Sequence, residues 1–183
     1  MVMENTPILF PSFLAYGFFT LHDYATGMAV YHAARDAGVI TPQTSMAPFG
    51  FLSAPGAASF MGAPWWQALV CQIEQESGCR YFHILDCGSS VGHAVLAHTQ
   101  GQKSVILHAD SERTAAARVL YETGGGLLFP GRPPSFDLTA PLSSQTHLAA
   151  YFMRSYCQRM VPGNKCPDES PEEGFPNDAY PAG

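Results

Sequence analysis

The feature that most constrains the fold is a regular alternation of apolar runs and helical patterns in the middle of the chain. Apolar runs at 81–86, 104–108 and 127–129 predict three strands. The run that ends at residue 99 and the segment 112–123 predict the helices between them. Short apolar strands that alternate with helices are typical of parallel βαβ units. The sequence therefore predicts an α/β fold with a mainly parallel sheet, arranged as a half-barrel or a three-layer sandwich.

Similar patterns precede this region. Apolar residues recur at helical spacing over 22–37, and again from Pro64 to a stop at Gly78. The segment 46–53 is apolar enough for a buried strand, and 7–20 has room for one further short strand. These elements extend the alternation of strands and helices towards the N-terminus.

The repeating pattern ends at the proline-rich segment 129–134. An amphipathic stripe then predicts a C-terminal helix over 143–160. The remaining residues, 161–183, are rich in Pro, Gly, Asp and Glu and have few apolar side chains to offset the entropy of ordering. We expect a single α/β domain over 1–160 and a flexible tail over 161–183.

The composition bears on the partners of the chain. Charged residues make up 13% of the sequence, well below the roughly 25% of average soluble proteins. Because so few charges are available to cover the surface, we expect self-association into a homo-oligomer. The formal net charge is −6 and no run of Lys or Arg occurs, so nucleic acid is not expected as a partner.

The apolar stretches predict no membrane segment. The longest of them, 8–21 and 85–97, are interrupted by Pro, Gly, Ser or His and are shorter than the roughly 20 residues of a membrane helix. The N-terminus lacks the positive region of a secretory signal. We therefore expect a cytoplasmic protein.

The five cysteines form no recognisable disulfide framework. Their number is odd and no C-x-x-C pair is present, so most are expected to be free thiols. The histidines His93 and His98 are five residues apart, which places them off one helical face. Neither a metal site nor a cofactor is predicted.

Candidate site residues lie at the ends of the predicted strands. In parallel sheets, ligands collect at the carboxyl ends, where loops and helix N-termini converge. The polar, thiol and glycine residues expected at this edge are Ser53, Gly56, Asp86, Cys87, Gly88, Ser89, Ser90, His108, Asp110 and Ser111.

The turn 86–90 is the most specific part of this set. Ser89 or Ser90 is placed to cap the following helix, and backbone N–H groups there are suited to hold an anion such as phosphate. The glycine spacing matches neither a dinucleotide-binding fingerprint nor a P-loop. The alternative is a glycine turn and a helix cap that serve only the fold.

Asp86 and His108 are the candidate catalytic residues. Each suits general acid or base chemistry if it is placed in a shared cleft, whereas the alternative is a carboxylate bonded within its own turn and an interior histidine. Cys87 is a candidate nucleophile, with buried inert cysteine as the alternative. For the pair Trp65 and Trp66 we expect a core or interface role over a ligand pocket.

Four segments, 53–56, 65–70, 85–88 and 92–97, resemble a group of small bacterial α/β proteins of unassigned function. Those proteins look like truncated (βα) barrels of the aldolase or epimerase kind. The resemblance implies a fold and no particular reaction. No lysine stands at a predicted strand end, since Lys103 precedes its strand, so a Schiff-base aldolase is disfavoured.

Two classes of function follow. In the first, the domain binds a small anionic metabolite at the carboxyl edge of the sheet, with or without turnover. In the second, it is a non-catalytic structural or assembly protein, and the edge residues only cap helices. A fold of this type hosts many functions, so the fold alone does not decide between the two.

Overall fold

The computed structural model describes residues 14–108, 111–139 and 145–160. Six strands form the sheet: β1 (Phe18–Leu21), β2 (Met46–Ser53), β3 (Arg80–Asp86), β4 (Ser104–Ile106), β5 (Leu127–Phe129) and β6 (Ser135–Asp137). Five α-helices accompany them: α1 (Tyr24–Asp36), α2 (Gly62–Ser77), α3 (Val91–Thr99), α4 (Ser111–Thr123) and α5 (Gln145–Met160). The predicted tail and the segment 7–13 lie outside the described residues.

All six strands are parallel. Their order across the sheet is β5-β4-β3-β2-β1-β6, so the first five strands follow one another and the sixth lies beside the first. Each of the first four strands is followed by a helix. The predicted α/β fold with a mainly parallel sheet is confirmed.

The helices pack on one face of the sheet. Alternate strand residues such as Phe19, Phe51 and Leu85 join a single buried cluster to which all five helices contribute. The buried residues of the cluster on the opposite face are strand residues, Phe18, Leu52, Ile84, Ile106 and Phe129, and Leu14 packs against them. Among the described residues the helices therefore form one layer, as in a half-barrel, and not the two layers of a three-layer sandwich.

The connection between β5 and β6 shows that the sheet is curved. These strands lie at opposite edges, yet only residues 130–134 separate them along the chain. Edge strands of a flat six-stranded sheet stand about 24 Å apart. The six Cα steps from Phe129 to Ser135 span only about 20 Å when extended. Curvature brings the two edges together, and the connection 130–134 bridges them.

Strand β6 was not expected from the sequence. Its three residues, Ser135–Asp137, follow two prolines and contain one apolar side chain, so no apolar run marks them. The strand exists because it pairs with β1 in register, with Phe18 opposite Ser135 and Thr20 opposite Asp137. A hydrogen bond of 2.8 Å between Thr20 Oγ1 and Ser135 Oγ adds to the pairing. Tertiary pairing thus determines this element.

Local signals explain where the helices begin and end. Asp23 caps α1, accepting a hydrogen bond from the Thr26 backbone N–H at 2.8 Å, while the Thr26 hydroxyl oxygen accepts one from the Asp23 N–H. Ser90 caps α3 in the same way, through the His93 N–H. Helix α2 ends at Ser77 and is capped by Gly78, whose φ of 71° is in the left-handed region that favours glycine. None of the helices in the described part of the chain is long and apolar enough to cross a membrane.

The contact between α2 and β3 includes a buried polar network. Trp66 is fully buried, and its Nε1–H donates to His83 Nδ1 at 3.1 Å. Gln102 lies against the same ring and donates to the Ser104 carbonyl at 2.9 Å. Burial lowers the pKa of His83 to about 4. The ring is therefore neutral at pH 7, as its acceptor role towards Trp66 requires.

The network predicts a pH dependence of stability. Between the ordinary histidine pKa of about 6.5 and the value near 4, the unfolded chain binds a proton at His83 that the folded chain excludes. The free energy of unfolding should therefore fall as the pH drops through this window, by at most about 3 kcal/mol from this group. Urea unfolding at pH 7 and pH 4.5 measures it.

The control for this experiment is His83→Asn, which keeps an acceptor near the Nδ1 position and does not titrate. The stability of the variant should depend less on pH than that of the wild type. Equal pH dependence in the two proteins would assign the loss of stability to other groups.

Candidate functional site at the carboxyl edge of the sheet

The loops that follow β2, β3 and β4 meet at the carboxyl edge. The Asp86 backbone N–H donates to Ser53 Oγ at 2.8 Å, and the Gly88 N–H donates to Asp86 Oδ1 at 2.7 Å. The His108 N–H in turn donates to the Gly88 carbonyl at 2.7 Å. Four of the predicted edge residues are thus connected by direct hydrogen bonds.

The connection 130–134 brings a cation to this edge. Arg132 Nη1 donates to Asp86 Oδ2 at 2.5 Å, and its Nη2 donates to the Ser53 carbonyl at 3.0 Å. The Asp86 side chain is 1% exposed and that of Arg132 is 23% exposed. Asp86 therefore has a hydrogen-bond donor on each carboxylate oxygen and a guanidinium as its charge partner.

Arg132 is the principal site residue that the sequence reasoning missed. It lies 46 residues after Asp86, in a segment where the strand pattern stops. The sequence signal for Arg132 is its position among the prolines of the segment 130–134. Prolines restrict the backbone, so they favour a connection with a fixed conformation. The sequence does not indicate which carboxylate the guanidinium meets.

Arg132 has donors left after these two hydrogen bonds. A guanidinium carries five N–H groups in one plane. Two of them bond to Asp86 and Ser53, and the remaining three have no acceptor within the described ranges. The edge therefore presents an oriented set of donors on a partly exposed side chain.

The glycines of this edge allow close packing of two loops. Gly56 and Gly88 both have positive φ, 65° and 57°, in the left-handed region. A Cβ on Gly88 would lie 3.8 Å from the Gly56 Cα, so the loops after β2 and β3 are in contact there. These glycines keep the surface beside Asp86 free of side chains.

Cys87 is a poor candidate for a nucleophile. Its side chain is buried, and burial raises the pKa of its thiol to about 12, with a smaller contribution from Asp86. Since the thiolate is the nucleophilic form, the thiol is unreactive at neutral pH. The inert alternative considered for this residue agrees with the structure. Cys71, Cys79 and Cys87 are free thiols, as expected.

The remaining predicted residues differ in their surroundings. Ser89 and His108 are exposed, and Ser90 is half-buried as the cap of α3. Ser111 begins α4. Asp110 lies outside the described residues. The catalytic role assigned to Asp86 and His108 stays a prediction.

Of the two adjacent tryptophans, one lies in the core and the other on the surface. Trp66 is fully buried against the sheet, whereas Trp65 is 48% exposed. Phe60 and Leu96 are also exposed, and Leu96 lines a shallow depression with Pro64 between α2 and α3. This part of the surface is apolar.

Neither protein-family models nor curated proteins give a match to this chain. The fold places the protein in the α/β class, with a six-stranded parallel sheet. Function has to be inferred from the side chains at the carboxyl edge, since this type of fold supports many activities.

Proposed function

We propose that the protein binds a small anionic molecule at the carboxyl edge of its sheet, with Arg132 as the main contact. The observation that carries this proposal is the position of the Arg132 guanidinium, which is held by Asp86 and by the Ser53 carbonyl. A planar guanidinium fixed in this way suits the bidentate recognition of a carboxylate or a phosphate.

Backbone groups that follow Asp86 along the chain support the same ligand class. Within the part of the chain that the structure describes, the N–H groups of Val91 and Gly92 at the start of α3 have no hydrogen-bond acceptor. Helix N-termini favour anions because their free N–H groups and dipole point outward. Gly88 and Ser89 lie between these groups and Asp86, and both belong to the proposed binding surface.

The charge balance defines how the ligand is held. Asp86 already compensates the charge of Arg132, and the chain carries a net charge of −6. Long-range attraction therefore contributes little, and affinity depends on hydrogen bonds from oriented donors. We assign Asp86 the role of positioning Arg132, while His108, exposed on the same edge, is available to the ligand.

A thermal-shift screen tests the proposal. The panel contains inorganic phosphate, phosphorylated sugars, keto acids and nucleotides. A ligand present at about 100 times its dissociation constant adds about 2.7 kcal/mol to stability, which gives a clear rise in Tm. We expect a rise with at least one phosphate or carboxylate compound.

The matched control replaces both charged partners, as Asp86→Asn with Arg132→Gln. This pair keeps one donor and one acceptor at each position and leaves no unpaired charge. The shift seen with the wild type should disappear in the double variant. A shift of equal size in both proteins would exclude Arg132 from the site, and no shift with any compound would exclude the proposed class of ligand.

A second candidate is self-association through the apolar surface around Trp65. Three large apolar side chains, Phe60, Trp65 and Leu96, are 68%, 48% and 52% exposed. Large exposed apolar side chains on α2, on α3 and in the segment before α2 can contribute to an interaction surface. Under this proposal the protein is a cytoplasmic homo-oligomer. It is compatible with ligand binding, since the two sites use different residues.

We also propose a relation of the fold to truncated (βα) barrels of the aldolase or epimerase kind. The sequential order of β1 to β5, with β6 beside β1, supports this relation. The single layer of helices supports it as well. The relation carries no reaction with it.

A further inference from the structure

A histidine and a carboxylate are also paired at the carboxyl edge of the sheet. His22 follows the last residue of β1, and Asp137 is the last residue of β6. His22 Nε2 lies 2.8 Å from Asp137 Oδ1. The side chains are 35% and 51% exposed, so a ligand can reach them. The carboxyl ends of adjacent parallel strands are where functional groups of such sheets collect.

The pair determines the tautomer of the imidazole. An ionised carboxylate only accepts hydrogen bonds, so the hydrogen between the two groups is on His22 Nε2. In the neutral ring, Nδ1 then carries the lone pair. His22 Nδ1 has no hydrogen-bond partner among the residues that the structure describes. In this tautomer Nδ1 is the nitrogen that can accept a proton.

Both members of the pair are held by regular structure. The His22 backbone N–H donates to Thr26 Oγ1 at 3.4 Å, next to the capping box that begins α1. Asp137 is held by the pairing of β6 with β1, where it lies opposite Thr20. Catalytic groups on fixed elements keep their geometry better than groups on mobile loops.

The pair lies at the same edge of the sheet as Arg132, at the ends of β1 and β6, and β1 is next to the strand β2 that Arg132 contacts. Leu21, the neighbour of His22, is in register with Ser53, whose carbonyl accepts a hydrogen bond from Arg132. Adjacent strands are about 5 Å apart. Asp137 also follows Arg132 by only five residues along the chain. One small molecule can therefore extend from the guanidinium to the imidazole.

We propose that His22 is a proton-transfer residue for the anion bound at Arg132, and that Asp137 positions it. This inference rests on the proposed function. The substrate class is a small carboxylate or phosphate compound with a C–H bond next to a carbonyl group. The negative charge that develops on oxygen is stabilised by nearby hydrogen-bond donors, and Arg132 has N–H donors that its bonds to Asp86 and Ser53 do not use.

The step balances without an oxidant or a reductant. His22 Nδ1 takes the proton, the C–H bond breaks, and its electron pair forms an enolate whose oxygen accepts a hydrogen bond from Arg132. The imidazolium is stabilised by the Asp137 carboxylate. The proton on His22 exchanges with water and a proton from water returns to the same carbon, so the net result is exchange of the carbon-bound hydrogen with solvent.

Deuterium uptake from D2O, followed by proton NMR, tests the inference on the full chain. The probes are pyruvate and dihydroxyacetone phosphate, each an anion with a C–H bond beside a carbonyl. We expect the wild type to accelerate exchange over buffer, and His22→Gln to lower the protein-dependent rate about 100-fold. Gln keeps a donor near the Nε2 position for Asp137 and lacks the basic nitrogen.

Thermal shift with inorganic phosphate separates this inference from the proposed function. We expect His22→Gln to keep the phosphate shift of the wild type and to lose the exchange. If neither phosphate nor any other compound of the thermal-shift panel stabilises either protein, the binding proposal fails. If phosphate stabilises both and the wild type exchanges no faster than His22→Gln or than buffer, the proton-transfer role of His22 is overturned.

Discussion

Arg132→Ala should lower the free energy of unfolding by about 3 kcal/mol, since removal of one partner from a buried ion pair leaves the other charge uncompensated. The charge left behind is that of Asp86, whose side chain is 1% exposed. The variant also loses the hydrogen bond that joins the connection 130–134 to the Ser53 carbonyl. Urea unfolding at pH 7, followed by circular dichroism, measures the change.

The double variant Asp86→Asn with Arg132→Gln should be considerably more stable than Arg132→Ala, because it leaves no unpaired charge. This comparison separates the cost of an uncompensated carboxylate from the loss of packing around Arg132. Equal instability of the two variants would contradict the assignment of Asp86 and Arg132 as one unit.

Trp66→Ala should cost about 3 to 5 kcal/mol, the range for removing a large aromatic side chain from a core. Trp66 is fully buried between α2 and the sheet, and its loss also removes the donor to His83 Nδ1. Chemical unfolding of the purified variant gives the value. A loss below about 1 kcal/mol would contradict the full burial of Trp66 between α2 and the sheet.

The neighbouring Trp65 provides the matched control. It is 48% exposed, so Trp65→Ala should change the free energy of unfolding by less than about 1 kcal/mol. Sedimentation of the same sample reports on self-association through the surface around Trp65. A smaller particle than the wild type would support that second candidate, and an unchanged particle would count against it.

Much of the fold was predictable because its signals are local. The strands 46–53 and 127–129 have the predicted bounds, and the observed helix α2 ends at Ser77, just before the predicted stop at Gly78. These elements depend on apolar runs, helical spacing and glycine stops, which short segments carry by themselves. The parallel arrangement followed from their alternation.

What the sequence did not predict depends on contacts between distant segments. Strand β6 has no apolar run and forms through its pairing with β1. Arg132 meets Asp86 across 46 residues, and His22 meets Asp137 across 115 residues. No local pattern encodes such pairs. Asp23, beside His22, caps α1 through a local contact within one turn.

The candidate site was predictable only as a location. The rule that ligands collect at the carboxyl ends of parallel strands pointed to Ser53, Asp86 and Gly88, and the structure joins these residues by hydrogen bonds. Arg132, the partner of Asp86, lies in a segment without a strand or helix pattern, so the sequence did not predict this contact. With Arg132 on its carboxylate, Asp86 is placed to hold a cation.

The most direct test of the binding proposal is the NMR signal of the Arg132 side-chain N–H groups during a titration with inorganic phosphate. Arg132→Lys identifies the signal by its absence. Saturable movement of the Arg132 signal, with the other arginine signals unchanged, is the result that we predict. If phosphate, or a stronger ligand from the thermal-shift panel, stabilises the protein while the Arg132 signal does not move, the anion binds elsewhere and the proposed site is wrong.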